Sequence, residues 1–223
     1  MTASSERGAM PVRRARPRRL LLRATLAVFS LTVILGLAAW FAREPLLRSA
    51  ADLWIVSDQA VTADAVAIFG GGLESRPFAA AEYYKQGLVK KILVAGIGSS
   101  RAERLGVLQS HVDNNRRILL MLGVPETAIE TFGSGLSNSY EEALALRGWA
   151  TRAGARSIIV PTEIFAARRL RWMLHRVFAD HVTIRVPALD PLDYRRDNWW
   201  RNEAGLIGFQ NEVIKYVYYR FKY

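Results

Sequence analysis

Apolar and polar positions along this chain fall into three regimes. From 24 to 42, nineteen residues run without a charge (ATLAVFSLTVILGLAAWFA). As a helix rising about 1.5 Å per residue, that run matches the roughly 30 Å hydrocarbon core of a bilayer. Trp40 and Phe41 stand at its far end, where aromatic side chains favour the interface. From 64 onward, short apolar runs bounded by glycine alternate with longer stretches of helical period. The runs predict strands at 64–69, 91–95, 128–132, 157–160 and 182–186. The stretches between them predict helices at 78–86, one ending near 122, one at 139–153, and an arginine-rich one after 163. From 198 to 223, Trp199, Leu206, Phe209, Val213, Val217 and Phe221 recur at spacings of three and four, which predicts a long aromatic helix.

Strands alternating with helices over about 130 residues indicate an α/β domain: a mainly parallel sheet with helices on both faces. The chain then divides into a basic tail (1–23), a membrane anchor (24–42), a spacer (43–62) and one domain (63–223). In sheets of this kind the ligand lies outside the carboxyl ends of the strands. The segments predicted at that edge are Gly70 to Arg76, Gly96 to Ser100, Gly133 to Asn138, Thr162 with Glu163, and 187–190.

The net charge of +11 invites a nucleic-acid reading, but its distribution argues against one. Seven arginines (Arg7, Arg13, Arg14, Arg16, Arg18, Arg19, Arg23) stand against Glu6 alone in the first 23 residues and supply +6 of the total. Placed directly before the apolar run, they hold the amino terminus in the cytoplasm and export the rest by the positive-inside rule. A cleaved signal peptide with its small residues at Gly36-Leu37-Ala38, or a twin-arginine signal around 17–23, gives the same extracytoplasmic address. Cysteine is absent, and the three histidines, His111, His175 and His181, are scattered. No disulfide framework, metal cluster or cofactor is expected from these residues.

The candidate chemistry centres on Gly70-Gly71-Gly72 and Arg76. Glycines let the backbone turn sharply and approach a ligand. Free amides at such a turn, with a helix start behind it, form an anion site. Arginine adds a planar fork suited to phosphate or carboxylate. A tight strand-to-helix turn without a ligand explains the glycines equally. Asn138-Ser139-Tyr140-Glu141 reads as a helix N-cap with a glutamate three residues on, or as part of the pocket together with Gly96, Thr162 and Arg169. His111 and Glu163 are the candidate acids or bases, with Asp190 at the same edge. A surface role accounts for each of the three as well.

These features, taken in order, resemble the YdcF/SanA/ElyC family: the glycine strand end with Arg76, Gly123-Val124-Pro125, Asn138-Ser139-Tyr140-Glu141, and Thr162-x-x-Phe165-x-x-x-Arg169. The resemblance covers about 63–220. It implies a Rossmann-like three-layer fold and a role in bacterial envelope biogenesis or barrier function. It further implies an inner-membrane protein with a periplasmic domain, and as partners membrane lipid, an anionic precursor such as a polyprenyl phosphate or peptidoglycan intermediate, and cell-wall assembly proteins. Hydrolysis or transfer at phosphate fits the residues, as does a non-catalytic regulator of envelope assembly. A nucleotide or S-adenosylmethionine binder suits the fold but not the address. The chain departs from the family pattern at Ala166, His111 and Leu136, where relatives carry histidine, an acid and often serine.

Overall fold

The computed structural model describes residues 17–179 and 181–223; most of the basic tail, with Arg7, Arg13, Arg14 and Arg16, lies outside them. The chain divides into two compact units, the first ending at Leu46 and the second running Leu47–Tyr223.

In the first unit, helix α1 (Pro17–Phe41) contains the one stretch among the described residues, Leu21–Phe41, that is long and apolar enough to cross a membrane. Its side chains from Leu21 on are exposed all round, as in a helix with no protein partner of its own. The hydroxyls of Thr25 and Thr32 donate back to the carbonyls of Leu21 and Val28, at 2.7 and 2.9 Å, so neither is left unsatisfied in an apolar setting. At the end of the run Arg43 donates to the Trp40 carbonyl and lies 4.3 Å from the Trp40 ring centroid.

The second unit is an α/β domain built on five parallel strands in the order β3-β2-β1-β4-β6. These are β1 (Ala65–Ile68), β2 (Ile92–Ile97), β3 (Ile129–Leu136), β4 (Ser157–Ile159) and β6 (Thr183–Arg185). Two short strands, β5 (Thr162–Glu163) and β7 (Ala188–Leu189), carry the β4–β6 pairing on as a separate parallel ribbon. Burial on both faces explains why the strands read as unbroken apolar runs. Ala65, Ala67, Phe69, Leu93 and Ala95 face α6 (Ser139–Ala153) and α7 (Ala167–Phe178). Val66, Ile68, Ile92 and Val94 face α3 (Arg76–Lys85) and α5 (His111–Met121). The result is three layers, helix, sheet and helix, as the alternating pattern predicts.

Strands β1, β2 and β3 step to one side, and α6 then returns the chain to β4 on the other side of β1. The gap beyond the carboxyl ends of β1 and β4 is therefore the switch point of the sheet, where ligands bind in open α/β folds.

Three elements differ from expectation. The stretch 43–62 is not a plain spacer: α2 (Arg43–Trp54) occupies its first half. From Leu47 on this helix belongs to the domain, where Trp54 Nε1 donates to the Phe165 carbonyl at 2.9 Å and Arg168 Nε donates to the Trp54 carbonyl at 2.7 Å. Strand β3 continues to Leu136, four residues past its predicted end, because pairing resumes at Ile97 and Leu136 beyond an irregularity after Ala95. The carboxyl-terminal helix α8 (Glu203–Lys222) starts later than predicted, behind a 3-10 turn at Trp199–Arg201. Between α4 (Arg101–Arg104) and the start of α5, Leu105, Val107 and Leu108 are exposed.

Candidate functional site

The glycine turn is built around a clasp. Arg76 is the first residue of α3, yet its side chain folds back under the turn and is almost wholly buried. All five of its N–H groups are taken. Nε and Nη2 donate to the two oxygens of Glu163 at 3.2 and 2.5 Å, and Nη2 also donates to Thr162 Oγ1 at 3.2 Å. Nη1 donates to the carbonyls of Phe69 and Gly70 at 3.2 and 2.8 Å. Ser75 Oγ adds a 2.7 Å bond to Glu163. Burial pushes the Glu163 carboxyl up, but the Arg76 guanidinium and the Ser75 hydroxyl outweigh it and hold the group down at about 2. The clasp ties the chain after β1 to the chain after β4 across the switch point.

Glycine at 72 is required by this geometry. Its φ is +58°, and a Cβ there would stand 2.2 Å from Glu163 Oε1 and 2.5 Å from Arg76 Nε. Gly71 also has positive φ, +87°, but a Cβ would meet open space. Its amide has no protein partner among the described residues, as a ligand-binding turn needs.

Beside the clasp opens a cavity of about 370 Å³, with Gly70, Gly71, Arg76 and Glu163 on one wall and Ser139, Arg169 and α8 on the other. A second ion pair stands there. Arg169 donates to both oxygens of Glu212, Nε at 2.7 Å and Nη2 at 3.3 Å, while Nη1 reaches Ser139 Oγ at 3.4 Å. Those three bonds leave two of its five N–H groups without a protein partner among the described residues. Its guanidinium also lies 5.1 Å from the Tyr219 ring centroid. Lys215, half exposed, spends one donor on Glu212 at 3.1 Å. Burial raises the Glu212 carboxyl, but Arg169 and then Lys215 more than reverse that, leaving it below the ordinary range. Three cations thus face two carboxylates that are held ionised. Tyr194 lines the same cavity, its hydroxyl pushed up to about 12 by burial, then by Glu163 and Glu212.

The predicted residues separate into groups. Gly70, Gly71, Arg76, Ser139, Thr162, Glu163 and Arg169 all line this cavity; Gly72 does not, and stands instead against the Arg76 and Glu163 side chains. Gly96 is not at the edge: it is buried within β2, where a Cβ would stand 2.4 Å from the Gly133 carbonyl oxygen. It is a close-packing glycine between strands rather than a ligand contact. Asn138 caps α6, accepting from the amides of Tyr140 and Glu141 at 3.0 and 3.1 Å. Glu141 reaches back to the amide and hydroxyl of Ser137, both at 2.8 Å, so capping accounts for both side chains. His111 opens α5 half-buried, with the Asn115 amide 3.1 Å from its Nε2. Burial and then the charge of Arg76 hold its imidazole below the ordinary value, against a pull from Glu103. Asp190 is exposed and lines neither this cavity nor the neighbouring cleft described next. Among the described residues no three His, Asp or Glu side chains gather as a metal site would require.

Three residues at the cavity and its neighbouring cleft are not among those the sequence points to as site residues. Glu212 and Lys215 lie on the carboxyl-terminal helix, whose aromatic stripe and basic residues Lys215, Arg220 and Lys222 suggest sheet packing or an interfacial role rather than a place in the site. Glu142 is 4 % exposed, with Oε1 accepting from the Gly70 amide at 3.1 Å and Oε2 without a partner. Burial raises its carboxyl, and the Gly70 amide, Arg76 and Arg169 only partly offset this. It borders a cleft of about 460 Å³ on the far side of Gly70. For the two glutamates the sequence carries a signal. Glu142 shares a stripe of helical period with Ala143, Leu146 and Ala150, and Glu212 falls midway between Gly205 and Tyr219, seven residues from each, all buried.

Two outcomes test this geometry. Gly72→Ala is expected to lose about 2–4 kcal/mol in urea unfolding, against about 1 kcal/mol for Gly71→Ala, because only the first adds a clash to the left-handed backbone. Equal losses would show that the clasp does not crowd the turn. The Glu163 carboxyl is depressed relative to its ordinary 4.5, so its contribution to stability is complete above that value and is lost as pH falls through it toward 2. Glu163→Gln is accordingly expected to flatten the dependence of the urea midpoint on pH below about 4.5; an unchanged slope would contradict the ion pair.

No protein-family model matches the chain, and no curated protein matches it.

Proposed function

We propose that this is a membrane-anchored protein of the bacterial envelope whose domain lies in the periplasm and binds the phosphate of an anionic precursor, a polyprenyl phosphate or peptidoglycan intermediate. The observation that carries this reading is the cavity at the switch point, where three cations face two carboxylates and one positive charge is left over. The two open N–H groups of Arg169, the remaining donors of Lys215 and the Gly71 amide together suit a phosphate. Arg76 takes a different part from the one its position first implied. With every donor engaged by protein, it shapes the turn while Arg169 and Lys215 hold the anion. The address rests on the seven arginines ahead of the apolar run, and the envelope role on the resemblance to the YdcF/SanA/ElyC family.

That Arg76 and Glu163 satisfy each other so fully favours a binding or regulatory role over turnover, since neither is left to attack or to transfer a proton. Binding is tested by calorimetry of the full chain in nanodiscs with a short-chain polyprenyl monophosphate. The monophosphate is expected to bind, the uncharged polyprenol to bind far more weakly, and Lys215→Glu to cost about ten- to a hundredfold in affinity. Affinity unmoved by Lys215→Glu would place the anion elsewhere. The address is tested by fusing alkaline phosphatase or a fluorescent protein after Tyr223. Active phosphatase and a dark fluorescent protein are expected, and the reverse would put the domain in the cytoplasm.

A further inference from the structure

The cleft beside Glu142 has a chemistry unlike that of the cavity next to it. The two share Gly70 and Ser139, so they open on one continuous surface. No lysine or arginine lines the cleft. Its polar walls are Ser99, Ser137, Asn138 and Ser139 and the carboxyl of Glu142, and its apolar walls are Ile97 and Leu136. A second phosphate would find no cation there and would meet a carboxylate instead. A group carrying hydroxyls on an apolar ring face finds what it needs: acceptors and donors around its rim, and a methyl-lined patch under its C–H groups.

Glu142 is the observation that points to a ligand. A buried carboxyl normally has partners for both oxygens, and here Oε1 has the Gly70 amide while Oε2 has nothing. The residue is held in place by the buried face of α6, with Ala143 and Leu146 fully buried beside it. A turn of its side chain toward the cleft it lines presents Oε2 to a ligand there without unpacking the helix. A ligand hydroxyl donating to Oε2 completes the set.

We infer that this cleft is a sugar subsite, and that the ligand is a sugar phosphate whose phosphate lies in the neighbouring cavity while a ring hydroxyl donates to Glu142. This rests on the phosphate reading given above and extends it from an anion to a class of molecule. Ser99→Trp fills the cleft from an exposed position that touches neither ion pair, so it leaves the fold intact. Glu142→Leu removes the acceptor itself.

The test is calorimetry of the full chain with three probes: inorganic phosphate, glucose 1-phosphate and methyl glucoside. Glucose 1-phosphate is expected to bind at least about tenfold more tightly than phosphate. In Ser99→Trp that ratio is expected to fall to about one with phosphate affinity unchanged, and in Glu142→Leu it is expected to fall likewise. Phosphate and glucose 1-phosphate binding equally to the wild-type protein would overturn the subsite and leave the phosphate reading standing. A tight ratio that survives both variants would also overturn it, by placing the sugar elsewhere. Methyl glucoside binding that Ser99→Trp abolishes, with no binding of phosphate, would support the cleft as a sugar site and sink the phosphate reading instead.

Discussion

The Arg76–Glu163 pair is the constraint on which the site depends. A parallel sheet leaves the carboxyl ends of β1 and β4 adjacent but diverging, since the chain leaves them for opposite faces. Nothing in the sheet itself fixes the loops beyond. The clasp does so by giving one guanidinium five acceptors drawn from both sides: two carbonyls after β1, and the Thr162 hydroxyl and the Glu163 carboxylate after β4. A buried ion pair is a weak stabiliser when weighed against an apolar pair of the same shape, because both charges are taken out of water. Removing one partner is a different matter, as it strands the other. The pair is better understood as setting geometry than as adding stability. It also explains why glycine stands at 72, since the carboxylate occupies the space of a side chain there.

The second pair works on a different principle. Arg169 and Glu212 are more buried than the first pair, but among the described residues the arginine is not saturated, and Lys215 adds a charge that no carboxylate of its own balances. Electrostatic attraction for an anion comes from this surplus, carried by the buried Arg169, where screening is weak, and by the half-exposed Lys215, where salt weakens it more. Preorganisation matters as much. Glu212 holds the guanidinium fork in place, and Tyr219 stands beside it, so little side-chain freedom remains to be lost when a ligand arrives.

Much of the fold was legible from the order of residues. Helix α6 matches its predicted bounds, 139–153, since Asn138 caps it and Gly154 ends it in a left-handed turn, and both signals are local. The failures were nonlocal. Strand β3 ran past Gly133 because β2 offered a partner at Ile97, which no feature of the sequence near 133 reports. Gly96 was read as a loop glycine, although its role is to let the β3 backbone approach. Arg76 was legible as a functional residue but its partner was not, because Glu163 lies 87 positions on and looks like an ordinary loop acid. Glu142 and Glu212 could have been found, since each interrupts a buried apolar stripe. An acid on such a stripe has to be paired or functional, and the stripe is visible in sequence.

Three glutamates in this region show how far environment decides chemistry. Glu163 and Glu212 are buried beside arginines that bond to them directly, and both are held ionised. Glu142 is also buried and also feels Arg76 and Arg169, yet neither reaches it with a hydrogen bond, and its one partner is a backbone amide. Desolvation then dominates and favours the proton. The site therefore holds fixed negative charge where it needs to orient cations, and a carboxyl that burial shifts upward where the wall carries no cation. A wall of serine hydroxyls and one buried carboxyl suits ligand hydroxyl groups better than it suits a phosphate, whose oxygens are better served by the cations Arg169 and Lys215 of the neighbouring cavity.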